Sequence, residues 1–409
     1  MEPEQKCAGC GSCTVVCPVY RATGNETLTA RGKQRLLESE LSGNPSSVFK
    51  DIFAKCLLCG ACESVCPRKL PIIKSVVGAR SRFQGFYGRH GFRKKLVTKI
   101  FGSSSVLASL ARLGFILEKK ASLPSWSGLR LKLSIFDDLG EHLNPSLVEQ
   151  QSPVMPAQDS ILLFSGCFAR FIQPSIVSSI NELILYQNKK STVVPVDQKC
   201  CGLAAYSMGE LSGARKLAME NIDSFKESEA TILVPCASCY FQLKRYPELL
   251  ADDKRWYERA LVFSKRLHTF EDFFVQLARS GVFRASKHCS VIQHSSCHQR
   301  FSGHFSSSPE ELYSLIDNIS YLGELNQCCG FGGLFQMGYP EISQSIFQCV
   351  YKKIGAYKHP LVLTSCSGCL IQWNQELLRF NSSISCQHPA QFLASCLRRI
   401  EYNKKNNDY

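Results

Sequence analysis

The chain has 409 residues, of which 44% are hydrophobic and 22 are cysteines, and its formal net charge is +14. This length predicts about three domains with real hydrophobic cores. The opening "MEPEQKCAGC" does not show the charged segment followed by an apolar segment that is typical of a secretory signal. We therefore expect a reducing, cytoplasmic location and few disulfides. The longest apolar stretch, "VLASLARLGFIL", is 12 residues long and contains Arg112, so it is well short of the roughly 20 residues that cross a bilayer.

Two motifs near the N-terminus, "CAGCGSCTVVCP" and "CLLCGACESVCP", follow the pattern C-x2-C-x2-C-x3-C-P. Three closely spaced thiolates can hold one face of a cubane, and the fourth reaches the other cluster in two-cluster ferredoxins. A pair of zinc sites is the alternative, but zinc prefers four ligands in two separated pairs. The spacing therefore predicts two [4Fe-4S] cubanes, the first on Cys7, Cys10, Cys13 and Cys66 and the second on Cys56, Cys59, Cys62 and Cys17.

The insert between these motifs has helical periodicity in "LTARGKQRLLESEL" and "SVFKDIFAK". This favours an all-helical ferredoxin-like domain over a small β-rich one. Arg31 and Lys33 in the insert either lie beside a cluster and offset its negative charge or are solvated helix charges, and the pattern favours solvated charges.

A basic segment follows, with 12 Lys or Arg and one acidic residue between Arg80 and Lys132. Its apolar residues, among them Phe92, Leu96 and Ile100, alternate with cations such as Arg93, Lys94, Lys95 and Lys99. This pattern is typical of a helix on an anionic membrane surface, and equally of a solvated linker packed on a neighbouring domain. Nucleic acid is a weaker candidate because no reading motif accompanies the charge.

The remainder of the chain is a duplication. Cys167 and Cys297 are 130 residues apart, and "LVPCASCY" and "LTSCSGCL" have the same separation. Each repeat contains one single cysteine, one adjacent pair and one CxxC. Short β-rich runs such as "ILLFSGC" and "LVLTSC" alternate with helical segments, which predicts parallel α/β units with the cysteines at the carboxyl ends of the strands.

Adjacent thiols cannot both point at one metal from a regular strand, so Gly202 and Gly330 are expected to turn the two pairs together. A vicinal disulfide would explain each pair but not the other three cysteines. Zinc accepts four ligands, whereas five thiolates suit a multi-iron cluster in which one sulfur bridges two irons. The sequence therefore predicts one cluster in each repeat.

These repeats resemble the CCG domains of the heterodisulfide reductase catalytic subunit. With the front end and "CPVYRATGNETLTARGK" included, the whole chain resembles the iron–sulfur subunit of glycolate oxidase and related D-lactate and glycerol-3-phosphate dehydrogenases. The resemblance implies a non-cubane [4Fe-4S] cluster in each repeat. Its ligands would be Cys167, Cys200, Cys201, Cys236 and Cys239 in the first repeat and Cys297, Cys328, Cys329, Cys366 and Cys369 in the second.

Four cysteines, namely Cys289, Cys349, Cys386 and Cys396, fit no set and are expected to be free. His294 and His298 flank Cys297 and are interpreted as hydrogen-bonded core histidines rather than ligands or proton relays. The chain has no G-x-G-x-x-G, no P-loop and no evident Ser-His-Asp or paired-carboxylate arrangement, so a catalytic residue is not identified.

We therefore expect an α+β multidomain protein with a front domain over residues 1–78, a basic connector and linker over 79–157, a first CCG repeat over 158–286 and a second over 287–409. The resemblance implies an electron-transfer subunit, with FAD on a partner dehydrogenase subunit and quinone or another carrier as acceptor, and peripheral contact with the inner face of the cell membrane remains open. The alternatives are a disulfide-cleaving, heterodisulfide-reductase-like subunit, the iron–sulfur subunit of anaerobic glycerol-3-phosphate dehydrogenase, and a zinc-stabilised adaptor that binds nucleic acid.

Overall fold

A computed structural model describes residues 6–39, 46–82, 91–102, 106, 109–110, 161–188, 192–279, 283–303, 308–355, 357 and 360–396. Much of the predicted basic connector and linker over 79–157 lies outside these residues. Within the described part of the chain, no helix is long and apolar enough to span a membrane.

The described elements of the front domain are helices. Two of them, α3 (Ala30–Glu38) and α4 (Ser47–Ala54), fall on the two stretches that the periodicity predicts. Pro18, the last residue of the first cysteine motif, starts α2 (Pro18–Thr23), because a residue without an N–H is tolerated in the first turn of a helix. The Thr29 side chain caps α3 by accepting from the Gly32 N–H. The elements are α1 (Ser12–Val16), α2 (Pro18–Thr23), a 3-10 turn (Glu26–Leu28), α3 (Ala30–Glu38), α4 (Ser47–Ala54), α5 (Ala61–Ser64) and α6 (Ile72–Arg82).

Each repeat contains a four-stranded parallel sheet, and the two sheets have the same strand order. The first sheet has the order β2-β1-β3-β4 and the second has β6-β5-β7-β8. The duplication that the cysteine spacing predicts is therefore also a duplication of topology. The strands are β1 (Ile161–Leu163), β2 (Thr192–Val193), β3 (Ile232–Val234), β4 (Leu267–Thr269), β5 (Phe283–His294), β6 (Ile316–Leu325), β7 (Leu361–Leu363) and β8 (Ser385–Gln387).

Helices connect these strands. Those of the first repeat are α8 (Gly166–Phe171), α9 (Ser175–Asn188), α10 (Leu203–Met208), α11 (Leu211–Ser224), α12 (Ala237–Lys244), α13 (Tyr246–Leu249), α14 (Lys254–Lys265) and α15 (Phe270–Arg279). Those of the second are α16 (Cys297–Phe301), α17 (Pro309–Ser314), α18 (Leu334–Gly338), α19 (Pro340–Ile354) and α20 (Ser367–Arg379).

Apolar cores join the three domains. Phe53 and Val76 of the front domain pack in one cluster with Phe164 and Phe225 of the first repeat. A second cluster contains residues of both repeats, and a third brings Val19 and Leu57 against the second repeat. Because burial of apolar area is the dominant favourable term in folding, these shared cores fix the cysteine motifs of different domains against one another.

The helix α7 (Gly91–Gly102) is the described part of the basic connector. Its Lys94 is 4% exposed and lies over the Tyr339 ring, and Thr98 contacts Met208 Sδ at 2.8 Å. Lys94 therefore faces the protein, and its assignment to the surface-binding set of cations is wrong. Phe92, Leu96, Lys95 and Lys99 are exposed.

Candidate iron–sulfur sites

The first cubane set lines one pocket of the front domain. Cys13 lies on α1, and the other three cysteines lie in adjacent loops around the same pocket. Arg31 is also at this pocket, where it donates to the Gly9 carbonyl at 2.9 Å and pairs with Glu26. The pocket lining includes Cys7, Cys10, Cys13 and Cys66.

The second cubane set lines an adjoining cavity, together with Lys33, and Cys62 of this set lines both cavities. Burial raises the pKa of the Cys17, Cys59 and Cys62 thiols, because removal from water disfavours the charged thiolate. Iron binding would deprotonate these thiols, so cluster and fold are coupled. The cavity lining includes Cys17, Cys56, Cys59 and Cys62.

In the first repeat the predicted cysteines come from three segments of the chain that meet at one edge of the sheet. Cys167 follows β1 on α8, Cys236 follows β3 as the residue that precedes α12, and Cys239 lies in the first turn of α12. The thiols form a continuous series of hydrogen-bonded pairs: Cys167 with Cys200, Cys200 with Cys201, Cys201 with Cys239, and Cys239 with Cys236.

The second repeat has the same series. Cys297 contacts Cys328, Cys328 contacts Cys329, and Cys369 contacts Cys366. Cys329 Sγ and Cys369 Sγ are 3.2 Å apart. The structure thus brings together all five predicted cysteines of each repeat.

The glycine after each cysteine pair has a left-handed conformation, with φ of 83° at Gly202 and 84° at Gly330. A side chain at Gly330 would also collide with the Ser343 carbonyl oxygen. A residue with a Cβ is therefore disfavoured where the chain turns to bring both thiols inward.

Different side chains hold the two paired-cysteine loops. In the first repeat, Asn221 Nδ2 donates to the Cys200 carbonyl at 2.9 Å, and the Tyr246 hydroxyl donates to the Cys201 carbonyl at 3.0 Å. In the second, the Ser343 hydroxyl donates to the Gly330 carbonyl at 2.8 Å. These loop-fixing residues are far from the motifs in sequence, so spacing gives no signal for them.

The two CxxC segments meet in a seam between the repeats. Ser238 Oγ lies 3.0 Å from Cys366 Sγ, and Ser367 Oγ donates to Cys236 Sγ at 3.2 Å. The Cys236 and Cys366 thiols are themselves hydrogen-bonded. Each repeat therefore supplies a serine to a cysteine of the other.

The second cubane set adjoins the second repeat. Cys59 lines a groove together with Cys297 and Cys328, and Gly60 packs closely against Phe301. Together with the seam, this contact places the cysteine sets in one series: the first cubane set, the second cubane set, the second repeat and the first repeat.

The histidines near Cys297 have hydrogen-bond partners within the protein. His294 is buried and its Nε2 lies 3.0 Å from the Gln327 carbonyl, while His298 Nδ1 lies 2.9 Å from Ser238 Oγ. Burial lowers the pKa of each to about 4, so both are neutral near pH 7. This fits their interpretation as core histidines.

The four cysteines outside the sets have different environments. Cys386 and Cys396 are buried in the shared core of the repeats, Cys289 is half-buried and Cys349 is exposed. Cys349 lines the groove beside Cys297 and Cys328, which the sequence did not indicate.

The donor sets suit iron–sulfur clusters. Within the described ranges, no three His, Cys, Asp or Glu side chains converge around a point as the ligands of a single metal ion do. Sets of four and five thiols, mostly enclosed by apolar residues, offer soft ligands in the number that a multi-iron cluster uses.

Comparisons with known proteins identify two kinds of domain in the chain. A 4Fe-4S dicluster domain model matches residues 4–70, and a cysteine-rich CCG domain model matches residues 161–244 and 291–374. Lactate utilization protein A 2 of Bacillus cereus is 29% identical over 242 residues, which are 58% of this chain and 99% of that protein. The probable glycolate oxidase iron–sulfur subunit of Bacillus subtilis is 26% identical over 396 residues, which are 90% of this chain and 87% of that protein.

A hypothetical protein from Helicobacter pylori has a similar fold, with a TM-score of 0.53 and 8% identity over 90% of this chain and 68% of that one. At this identity the likeness concerns the fold alone. The chain therefore contains one 4Fe-4S dicluster domain and two CCG domains, and it is similar to iron–sulfur subunits of the glycolate oxidase and lactate utilization type.

Proposed function

We propose that this chain is the electron-transfer subunit of a flavin-dependent 2-hydroxyacid dehydrogenase complex that oxidises glycolate or D-lactate. One observation carries the proposal: the four cysteine sets form one series, in which Cys59 adjoins Cys297 and Cys328, and Cys236 contacts Cys366. If metal served only to stabilise the fold, the cysteine sets of the three domains would not have to adjoin one another.

We propose two cubanes in an all-helical ferredoxin-like front domain and a non-cubane [4Fe-4S] cluster in each CCG repeat. Such clusters, when bound, accept and release single electrons. The protein supplies the thiolates, keeps water from the buried sets and fixes the distances between them through the shared apolar cores.

The hydroxyacid and the flavin belong on another chain. The sequence has no dinucleotide-binding motif, and we assign FAD to a partner dehydrogenase subunit and the electrons to quinone or another carrier. The relative named as a glycolate oxidase subunit supports a complex of this kind.

Iron analysis after anaerobic purification tests the cluster assignment. We expect about 16 irons per chain, from four clusters of four. Cys13→Ser should lose about four irons and destabilise the front domain, because cluster binding contributes folding energy. Cys349→Ser, an exposed cysteine outside all sets, should keep all of them.

Two results would contradict the assignment. An iron content near eight in the wild-type protein would leave the CCG repeats without clusters. Full iron in Cys13→Ser would show that the ligand set is wrong.

A separate experiment tests the proposed complex. Reduction of the purified chain by a hydroxyacid should require addition of the flavoprotein. Reduction without the flavoprotein would refute the assignment of the hydroxyacid and flavin sites to a partner chain.

Cleavage of a disulfide at the CCG sites is the second candidate function. The observation in its favour is the seam, where both five-cysteine sets lie together and a substrate sulfur could meet both. Turnover of a disulfide with a reduced dye, lost in Cys236→Ser, would favour this function over electron transfer alone.

The outward face of α7 supports peripheral membrane contact. Phe92, Lys95, Leu96 and Lys99 lie three or four residues apart, so they share one face of the helix, opposite Lys94. Phe92 is 83% and Leu96 50% exposed. Exposed apolar side chains between cations match an anionic bilayer surface.

A further inference from the structure

Lys33 on α3 is the most buried cation of the front domain. It is 1% exposed, and its Nζ donates to the Leu28 carbonyl. None of the ion pairs among the described residues includes Lys33. An ammonium group with one neutral acceptor and no carboxylate is costly to bury, so something else must stabilise it.

The cavity that Lys33 lines identifies what stabilises it. Cys17, Cys56 and Cys62 line the same cavity, and each of these thiols interacts electrostatically with the ammonium group. When the four thiols of this set are ionised and hold a cubane, the site has a net negative charge, and a buried cation beside it is favourable because the surroundings screen it poorly.

We propose that Lys33 is the charge-compensating residue of the second cubane, and that it raises the reduction potential of this cluster and strengthens its binding. The inference rests on the proposed function, since it requires a cluster on Cys17, Cys56, Cys59 and Cys62. A fixed positive charge stabilises the more negative, reduced state of a cluster more than the oxidised state.

The first cubane has no equivalent of Lys33. Two cations line its pocket: Arg31 is paired with Glu26 and its side chain is 30% exposed, and Arg68 is exposed, so solvent and the carboxylate screen their charges. Arg80 also donates to the Cys56 carbonyl and interacts electrostatically with the Cys56 thiol, so it is a second cation near the second cubane. Lys33 differs from Arg31 because it is fully buried and has no carboxylate partner among the described ion pairs. We expect the second to have the higher potential and Lys33 to account for much of the difference.

The test is an anaerobic redox titration followed by electron paramagnetic resonance, applied to the full chain. The variants are Lys33→Met and Lys33→Gln, which remove the charge, and Lys33→Arg, which keeps it. Lys74→Met on α6 is the matched control, because it removes one lysine charge at an exposed position of the same domain.

We expect both neutral variants to lower the ratio of reduced to oxidised second cubane at least tenfold at a fixed potential, which is a shift of about 59 mV for one electron. The first cubane should not shift, and the Lys33→Arg and Lys74→Met proteins should titrate like the wild type. Loss of the second cubane from both neutral variants, with retention in Lys33→Arg, would support the same charge requirement through binding.

Unchanged potentials in the neutral variants, or loss of the cluster from all three Lys33 variants alike, would overturn the inference in favour of a purely steric role. Wild-type protein without a second cubane would instead contradict the proposed function, and the inference about Lys33 would then have no basis. The two failures are therefore distinguishable by the wild-type iron content and spectrum.

Discussion

The Arg80 guanidinium ties the front domain to the first CCG repeat. It donates to the carbonyls of Phe53, Ala54 and Cys56 at the end of α4 and the start of the second motif, and to the carbonyl of Ser207 on α10. Since these acceptors converge on one planar cation with several donors, no shorter or uncharged side chain can satisfy them together.

Arg80→Met should therefore destabilise the contact between the domains. Leaving several buried carbonyls without a donor costs about 3 kcal/mol or more. The midpoint of thermal unfolding should fall, and the visible absorption of the clusters should bleach at the same lower temperature, because Cys56 follows the same segment. Arg82→Met, an exposed arginine on the same helix, is the control. Equal stability of the two variants would contradict this role.

The seam is an element-scale feature, since it depends on how α12 and α20 meet. A hydroxyl that donates to a ligating thiolate stabilises the reduced state of a cluster and so raises its potential. Because each serine contacts a cysteine of the other repeat, its substitution should change the reduction potential of the centre in that other repeat. Ser238→Ala should lower the potential of the centre in the second repeat, and Ser367→Ala that of the centre in the first.

Redox titrations of the two variants measure these shifts in reduction potential. The signals can be assigned by their loss in Cys167→Ser for the first repeat and in Cys297→Ser for the second. If Ser238→Ala shifts only the signal that Cys167→Ser removes, the serine acts within its own repeat and the seam has no role in tuning.

The strands differ in how well the sequence predicts them. β1 and β3 are buried apolar runs that end in a cysteine motif, so composition and position agree. β4 and β8 are equally short, but each contains two polar residues, and they form because β3 and β7 offer unpaired edges. The alternation of strands and helices was predictable, but polar edge strands of this kind depend on tertiary pairing.

At the scale of the molecule, sequence spacing predicts which cysteines belong to one set but not how the sets adjoin. The contacts of Cys59 with the second repeat and of Cys236 with Cys366 depend on packing between domains, which leaves no periodic signal. Lys33, Arg80 and Lys94 illustrate the same limit. Each has the sequence pattern of a helix charge, but neighbouring elements bury Lys33 and Lys94 and half-bury Arg80.

The exposed face of α7 gives the last prediction, which concerns how the whole protein meets a surface. Lys95→Gln with Lys99→Gln should weaken binding to anionic vesicles by about 2 kcal/mol, roughly thirtyfold, because each cation near such a surface contributes about 1 kcal/mol. Lys94 stays unchanged, since it is buried against Tyr339 and its substitution would test folding rather than binding. The double variant should keep all its iron.

Vesicle co-sedimentation measures the effect at low and high salt, with Lys254→Gln and Lys265→Gln on α14 as a control of equal charge change at exposed positions. Wild type and control should bind anionic vesicles at low salt and detach at high salt, because the attraction fades as the Debye length shortens. Neutral vesicles should bind all three proteins weakly, through Phe92 and Leu96 alone. Equal binding of the three proteins to anionic vesicles would contradict a membrane role for this face.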